Sequence, residues 1–284
     1  MFVKATKKRA KLRIALEGIA GSGKTYSSLK LATKLLDKTE GNGRIALVDS
    51  EHGSASLYAH LFDFDAVELD EFSLTTYLRA IDAAKGAGYP VLVIDSLSHA
   101  WAGKGGALEQ VDRMGGSKFT NGWKHVTPLQ TQLINTMLAY PGHVIATLRT
   151  KSDYSLEKDE HTGKIAPKKV GMAPIQREGV DYEFSVVLDL QQGGLMTVSK
   201  SRCDALPPGT VLKWDEIDTA AAKLISWLSM GAELSQRDLM LQAIRGASSH
   251  DALMALVPQM KGLEDEDREA LRGPWQKREQ EFVG

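Results

Sequence analysis

Residues 12–25 read Leu-Arg-Ile-Ala-Leu-Glu-Gly-Ile-Ala-Gly-Ser-Gly-Lys-Thr, a short apolar run that leads into a glycine-rich turn. The part from Gly18 to Thr25 matches G-x-x-x-x-G-K-[ST], in which the glycines let successive backbone N–H groups turn inward around an anion. A helix is predicted to follow, and the positive end of its dipole favours phosphate. The stretch therefore predicts a strand–loop–helix unit that binds a nucleotide. Its expected contact residues are Gly18, Ala20, Gly21, Ser22, Gly23, Lys24, Thr25 and Tyr26.

Two strand ends supply the acidic groups that such a site needs. Lys24 is expected to reach the β- and γ-phosphates, and the Thr25 hydroxyl is expected to bind Mg²⁺. Asp95 ends the apolar run VLVID at 91–95, where a carboxylate faces the phosphate crevice and holds Mg²⁺. Glu51 follows the run RIALVD at 44–49, where it could orient and deprotonate the attacking water. Asp49 either competes for that role or holds the turn.

A fourth strand end carries polar groups as well. The run HVIATL at 143–148 contains Thr147 and is followed by Arg149. These side chains are candidates for sensing the γ-phosphate and relaying its loss to the next loop. They are equally compatible with an ordinary polar strand terminus.

Short apolar strands alternate with helical stretches from Leu12 to about Lys200. Besides the strands named above, the pattern predicts a strand at 12–16 and helices at 27–36, 74–85 and 128–140. Uninterrupted apolar strands separated by helices are typical of an α/β fold with a mainly parallel sheet buried on both faces. Residues 183–190 and 195–200, joined by Gly193-Gly194, predict an antiparallel hairpin at the edge of the sheet.

The remaining organisation divides the chain into two parts. After the Pro207-Pro208-Gly209 breaker, four helical stretches are predicted, at 215–230, 234–245, 249–260 and 264–282. We therefore predict a core domain at 1–214 and a small helical C-terminal appendage at 215–284. Residues 98–127 and 151–179 are predicted to be long loops, which in a compact domain are usually functional or disordered.

Composition limits the class of protein. The formal net charge of the 284 residues is -1, which excludes a globally basic coat for DNA but allows a local basic groove. Cys203 is the single cysteine, so no intrachain disulfide can form, and this fits the reducing cytosol. No apolar run approaches 18 residues, and the basic start lacks the apolar stretch of a secretory signal. We expect a cytoplasmic protein without a membrane span.

With these residues placed, the chain resembles the RecA-type P-loop ATPase core. VDSEHGSASLY at 48–58 resembles the RecA segment with the catalytic glutamate, and VLVIDSLS at 91–98 resembles its Walker-B strand. A closer resemblance is to phage-encoded RecA-core ATPases, including the Sak-type single-strand annealing recombinases. That resemblance rests on KLRIALEGIAGSGKT at 11–25, TLRTKSDY at 147–154 and KVGMAPIQREGVDYEFSVVLDL at 169–190, and it covers about residues 10–205. It implies ATP with Mg²⁺ as the ligand, and the host cytoplasm as the location.

The resemblance also implies an assembly of several copies. Lys200-Ser201-Arg202 resembles the K-x-R element of DnaB-type helicases, whose lysine and arginine reach the ATP site of the neighbouring subunit. An arginine supplied in this way stabilises charge in the transition state. Solvated cations at a strand end are the alternative, and Arg177, Lys168 and Lys169 are rival candidates. The implied partners are further copies in a ring or filament, single-stranded DNA and a single-strand binding protein.

Contacts with DNA are expected from the two long loops, which in RecA-like proteins face the axis of the assembly. Lysines neutralise phosphates, and an aromatic ring such as that of Trp123 can stack on a base. Trp123 could equally anchor its loop to the core, and acidic residues in the second loop leave its positive excess small. The candidate residues are Lys104, Lys118, Trp123, Lys124, Lys168 and Lys169.

Two functions follow from this reading. The first is a Mg²⁺-dependent ATPase that binds single-stranded DNA and promotes phage recombination or annealing. The second is a nucleotide-dependent clamp or loader that binds another replication protein through its helical tail and hydrolyses ATP slowly. DNA-stimulated turnover that survives deletion of the tail would separate the first from the second.

Overall fold

A nine-stranded sheet forms the centre of the molecule in a computed structural model that describes residues 6–36, 43–114, 121–158 and 165–283. The strands are β1 (Arg13–Gly18), β2 (Ile45–Asp49), β3 (Asp65–Glu68), β4 (Val91–Asp95), β5 (His143–Lys158), β6 (Ile165–Pro174), β7 (Val186–Leu190), β8 (Leu195–Ser201) and β9 (Val211–Lys213). Their order is β3-β2-β4-β5-β1-β7-β8-β9, with β6 paired to β5. The first six strands of this order run parallel, whereas β8, β9 and β6 pair antiparallel with their neighbours.

Helices cover both faces of the sheet, as the apolar strands predicted. They are α1 (Lys24–Leu36), α2 (Leu74–Gly86), α3 (Ser98–Ala102), α4 (Ala107–Arg113), α5 (Asn121–Leu138), α6 (Ile217–Ser229), α7 (Gln236–Arg245), α8 (His250–Met254), α9 (Val257–Lys261) and α10 (Asp265–Val283). One face packs against α1 and α6, and the other packs against α2, α3, α4 and α5. The predicted α/β fold class with a mainly parallel sheet and C-terminal helices is confirmed.

The C-terminal helices divide into two groups by their packing. Helix α6 lies against α1 and buries Ile217, Leu224 and Leu228 in the core beneath the sheet. Helices α7–α10 instead pack around a cluster of their own that includes Ile244 and Leu271. The packing thus places α6, which the sequence assigned to the appendage at 215–284, with the core.

The basic start of the chain lies against the C-terminal part. Lys8 forms an ion pair with Asp238 at 2.5 Å, and Arg9 forms one with Glu233 at 2.9 Å. The Arg9 backbone N–H also donates to the Ala232 carbonyl at 2.8 Å. This segment therefore connects the first strand to the helices that follow α6. Within the described ranges, none of the helices combines the length and the apolar character that crossing a bilayer requires.

Both segments predicted as long loops contain regular structure. Residues 98–127 include α3, α4 and the first part of α5, which continues through Pro128. Residues 151–179 include the end of β5 and all of β6, which form an antiparallel ribbon from Thr150–Pro174 to Lys158–Ile165. The loop predictions were wrong here because these elements lack the apolar periodicity by which the core elements were recognised.

Candidate nucleotide-binding site

The glycine-rich turn connects β1 to α1 in a backbone shape that only glycine tolerates well. Gly21 and Gly23 have φ of +75° and +87°, in the left-handed region that side chains disfavour. Gly18 is required for a different reason, because a Cβ there would lie 2.6 Å from the Leu190 carbonyl oxygen of the neighbouring strand. The predicted phosphate loop therefore has the strand–turn–helix setting that the motif requires.

Lys24 folds back over this turn. Its ammonium group donates to the carbonyls of Gly18 at 2.9 Å and Ile19 at 2.8 Å. Burial lowers the pKa of Lys24, while the carboxylates of Asp95 and Glu51 oppose that decrease. The lysine cation thus lies at the mouth of the turn, with two acids close enough to act on its charge.

Thr25 and Asp95 are in direct contact. The Thr25 hydroxyl donates to Asp95 Oδ2 at 2.6 Å, and the Thr147 hydroxyl donates to Asp95 Oδ1. Burial raises the pKa of Asp95, and these two hydrogen bonds oppose the increase. A carboxylate and a hydroxyl are ligands that Mg²⁺ accepts together with phosphate oxygens and waters. Within the described ranges no cluster of three or more metal-binding side chains occurs.

Asp49 and Glu51 take different positions after β2. Asp49 is buried, and its carboxylate accepts from the backbone N–H of Glu51 at 2.6 Å and of Ala55 at 3.2 Å. The Glu51 side chain keeps 18% of its surface exposed and is directed towards Arg149. Of the two alternatives for Asp49, the geometry therefore favours the one in which it holds the turn. Glu51 remains the candidate base.

Arg149 makes a two-pronged ion pair with Glu51. Its Nε donates to Glu51 Oε1 at 2.8 Å, and a second guanidinium nitrogen contacts Oε2. Burial opposes the charge of Glu51, but the hydrogen bonds and charge of Arg149 together with His99 and Ser96 outweigh it, so the pKa of Glu51 lies below its usual value. The sequence identified both residues as site candidates but gave no sign that they pair across 98 residues of chain.

A polar network behind these acids was not predicted. The backbone N–H of Ser96 donates to the Ser50 hydroxyl at 2.8 Å, and His99 Nδ1 lies 2.9 Å from the same hydroxyl. The Tyr77 hydroxyl donates to the Ser96 carbonyl at 2.8 Å. These contacts connect the ends of β2 and β4, so they fix the spacing between Glu51 and Asp95. No local pattern could have revealed them, since they depend on which strands are neighbours.

Ala20 and Tyr26 have different surroundings. Ala20 is exposed at its tip. Tyr26 is half-buried, and its ring makes edge contacts with Tyr58, Phe62 and Trp214 at centroid distances of 5.9, 5.4 and 6.1 Å. Tyr26 thus belongs to an aromatic group next to the phosphate loop, a feature that the motif alone does not indicate.

Lys200 and Arg202 lie away from the phosphate loop of their own chain. Lys200 pairs with Val187, whereas Leu190, three residues further on, is the partner of Gly18. At about 3.3 Å per residue, Lys200 is roughly 10 Å from the level of the loop along the strand direction. The Lys200 ammonium donates to the Asp181 carbonyl at 2.8 Å, and Arg202 is exposed. The geometry does not bring these cations together with Lys24, Asp95 and Glu51 in one chain.

The candidate DNA contacts are dispersed. Lys104 and Lys124 are exposed, while Trp123 is half-buried with its ring 5.6 Å from that of Trp101. Trp123 also packs against the core, as the anchoring alternative expects. Lys168 and Lys169 lie on β6 opposite Ser155 and Tyr154. Lys118 lies outside the described residues.

Comparisons with known proteins identify the family of this chain. The family model described as AAA domain matches residues 10–206. Among solved structures, a similar chain is a KaiC-like protein from the hyperthermophilic archaeon Pyrococcus horikoshii OT3. It is 18% identical, the match covers 67% of this chain and 79% of that chain, and the TM-score is 0.40. No curated protein matches this chain.

Proposed function

Because this chain belongs to the AAA domain family and carries a P-loop ATPase domain, we propose that it is a Mg²⁺-dependent ATP hydrolase that acts on single-stranded DNA in phage recombination or annealing. The observation that carries the hydrolase part is the convergence of four groups at one turn. Lys24 donates to two carbonyls of the loop, and Thr25 donates to Asp95. Glu51 comes two residues after Asp49, which is paired with Asp95 across β2 and β4. Phosphoryl transfer depends mainly on such positioning and electrostatics.

Each residue has a separate role in this proposal. Lys24 and the backbone N–H groups of the turn bind the β- and γ-phosphates. Thr25 and Asp95 hold Mg²⁺, which when bound neutralises charge on the phosphate oxygens. Glu51 orients the attacking water and accepts its proton. Arg149 holds the Glu51 carboxylate through both oxygens, so it also determines where that base points.

The DNA part of the proposal is supported by the ribbon of β5 and β6. Strand β5 contains Thr147, which contacts Asp95, and Arg149, which contacts Glu51. It then continues for nine residues to Lys158, roughly 30 Å beyond the edge of the sheet at which the nucleotide site lies. A change at the γ-phosphate would therefore act directly on the base of this ribbon.

A second connection joins the end of the ribbon to the site. Gln176 follows β6 and is buried, and its amide donates to the Leu97 carbonyl at 3.0 Å. Its carbonyl oxygen accepts from the Gln130 amide at 3.1 Å. Leu97 comes two residues after Asp95, so both strands of the ribbon are connected at its base to the end of β4, which carries the proposed Mg²⁺ ligand.

Steady-state ATP hydrolysis with and without single-stranded oligonucleotide tests the proposal. We expect DNA to stimulate turnover in the wild type. Lys24→Ala should lose hydrolysis and nucleotide binding together. Glu51→Gln should keep nucleotide binding but lose roughly 10²-fold or more in kcat, because a positioned base contributes about that factor. Asp70→Asn, an exposed acid on the loop after β3, is the matched control and should behave like the wild type.

Two results would contradict this proposal. Normal hydrolysis by Glu51→Gln would remove Glu51 from the chemistry. Turnover that is slow, indifferent to DNA and altered by deletion of the C-terminal helices would favour the clamp or loader instead.

A further inference from the structure

A cavity of about 380 Å³ lies beside the phosphate loop and is not explained by phosphate binding. Its lining includes Gly21, Ser22, Gly23, Tyr26 and Ser27 from the loop and the start of α1. The opposite wall comes from Leu190, the turn between β7 and β8, and Trp214. Asp95 and Glu51 are not part of the lining, so the cavity opens at the other end of the loop from the acids.

Resting on the proposed nucleotide site, we propose that this cavity is the subsite for the nucleobase, which stacks against Trp214 and Tyr26. A bound triphosphate with its terminal phosphate near Lys24 and Asp95 must leave the loop on the side of Tyr26. Pockets for small molecules typically measure about 300–1,000 Å³, are mostly apolar and contain a few polar groups. The buried Leu190 and Met196 give this cavity an apolar floor.

Trp214 is the feature that distinguishes this cavity from a surface groove. Trp214 is 53% exposed, although tryptophan is highly buried on average. Its backbone N–H nevertheless donates to the Gly194 carbonyl at 2.8 Å, and the Lys30 ammonium lies 5.8 Å from its ring centroid. A half-exposed ring that is held from several sides suits stacking on a flat ligand.

The turn between β7 and β8 is shaped around the indole. Gly194 has φ of +82°, and a Cβ there would lie 2.8 Å from Trp214 Cδ1. Any other residue at position 194 would therefore displace the ring.

The lining also predicts weak selection among bases. Besides the hydroxyls of Ser22, Tyr26 and Ser27, the lining contains the amide of Gln191, which can pair with two atoms of a base edge. Gln191 is exposed, so water competes for its hydrogen bonds. Strong rejection of a wrong base requires buried polar groups that the wrong base would leave unpaired. We therefore expect ATP and GTP to bind with affinities within a few-fold of each other.

Calorimetric titration with Mg-ATPγS and with inorganic tripolyphosphate separates base binding from phosphate binding. Trp214→Ala should weaken ATPγS binding roughly tenfold, in line with the loss of one stack, and leave tripolyphosphate affinity within twofold. Trp214→Phe should restore most of the loss. Gly194→Ala should imitate Trp214→Ala, since it displaces the ring. Val211→Ala, an exposed apolar residue on β9 outside the cavity, is the control and should bind both ligands normally.

The outcomes distinguish this subsite from the nucleotide site itself. Unchanged ATPγS affinity in Trp214→Ala, or an equal loss for both ligands, would overturn the subsite. More than tenfold discrimination between ATPγS and GTPγS would overturn the weak selectivity. If Lys24→Ala binds tripolyphosphate as the wild type does, the proposed nucleotide site fails whatever Trp214 does.

Discussion

At the scale of single residues, Glu17 has an environment that opposes its charge. It precedes the phosphate loop on β1, it is buried, and its Oε1 has no hydrogen-bond partner within the described residues. Burial, together with Asp189 on the paired strand and with Asp181, raises the pKa of Glu17 to about 7. The folded protein therefore binds this proton more tightly than the unfolded chain does.

The raised pKa makes stability depend on pH with a definite sign. Below about pH 4.5 Glu17 is protonated in both states, and it then contributes no penalty. As the pH increases from about 4.5 to about 7, the unfolded chain loses this proton while the folded protein keeps it, so the free energy of unfolding decreases. Above about pH 7 the decrease is complete at about 3 kcal/mol. Glu17→Gln should remove that dependence. Urea unfolding at pH 5 and pH 8 measures the free energy of unfolding of both proteins. The difference between the variant and the wild type should be about 1–3 kcal/mol more favourable to the variant at pH 8 than at pH 5.

A nearby exposed carboxylate provides the control for this measurement. Glu183→Gln removes an exposed acid two residues after Asp181. This variant should show the same dependence of stability on pH as the wild type. Parallel profiles for Glu17→Gln and the wild type would show that Glu17 ionises freely in the folded protein.

Residues that act within a short motif could be predicted, and residues that act through distant contacts could not. Lys24 and Thr25 follow from the spacing of the glycines, and Asp95 and Glu51 follow from the ends of apolar strands. The ion pair of Glu51 with Arg149 and the burial of Glu17 depend on strand order. Arg149 and Gly18 become partners only because β5 lies beside β1. Spacing along the chain does not contain that information.

At the scale of elements, the ribbon of β5 and β6 is the main departure from prediction. Its residues were predicted to form a loop because their sequence shows no sustained apolar alternation. Strand β3 was not predicted either, since it has four residues and is mostly exposed at the sheet edge. The buried strands β1, β2 and β4 were predicted to within about two residues because they are apolar throughout.

The ribbon's lysines give an element-scale prediction for DNA binding. Lys168 and Lys169 are consecutive residues of β6, and they pair in register with Ser155 and Tyr154 of β5. If both neutralise phosphates, the variant Lys168→Ala/Lys169→Ala should weaken binding to single-stranded DNA. It should also reduce the slope of log affinity against log salt by about 1.4, since each phosphate contact on a single strand contributes about 0.7. Fluorescence anisotropy with a labelled oligonucleotide across a salt series measures both quantities.

A pair of lysines outside the sheet controls for the loss of net charge. Lys261 ends α9 and Lys277 lies on α10, both among the C-terminal helices. Lys261→Ala/Lys277→Ala should keep the wild-type salt slope. Equal slopes for all three proteins would exclude the ribbon lysines from the DNA contact.

At the scale of the whole molecule, the position of Arg202 predicts how copies cooperate. Arg202 is exposed, and the hydrogen bond from its guanidinium group to the Tyr182 carbonyl is long at 3.4 Å. Lys200 is more strongly engaged in its own chain, through the Asp181 carbonyl and the ring of Tyr182. Both lie near the start of β7, whereas the phosphate loop lies level with the end of β7. Of the two, Arg202 is therefore better placed to enter the site of a neighbouring copy.

Mixing two inactive variants tests this arrangement directly. Arg202→Ala alone should bind ATP normally but lose roughly 10³-fold in hydrolysis, the lower limit for removal of an arginine finger. Lys24→Ala alone should be inactive because it cannot hold the phosphates. In a 1:1 mixture, an intact loop from one copy meets an intact Arg202 from the other at about a quarter of the interfaces, provided that the contacts repeat head to tail.

Recovery of activity in the mixture is possible only if the arginine acts between copies. If Arg202 served the site of its own chain, every subunit in the mixture would still lack one of the two groups, and activity would stay at the level of the separate variants. The mixture of Lys24→Ala with Glu51→Gln controls for simple stabilisation of the assembly. Both of those changes damage the same side of the interface, so this pair should recover nothing. Hydrolysis by Arg202→Ala alone at the wild-type rate would reassign the finger to one of its rivals, Arg177, Lys168 or Lys169.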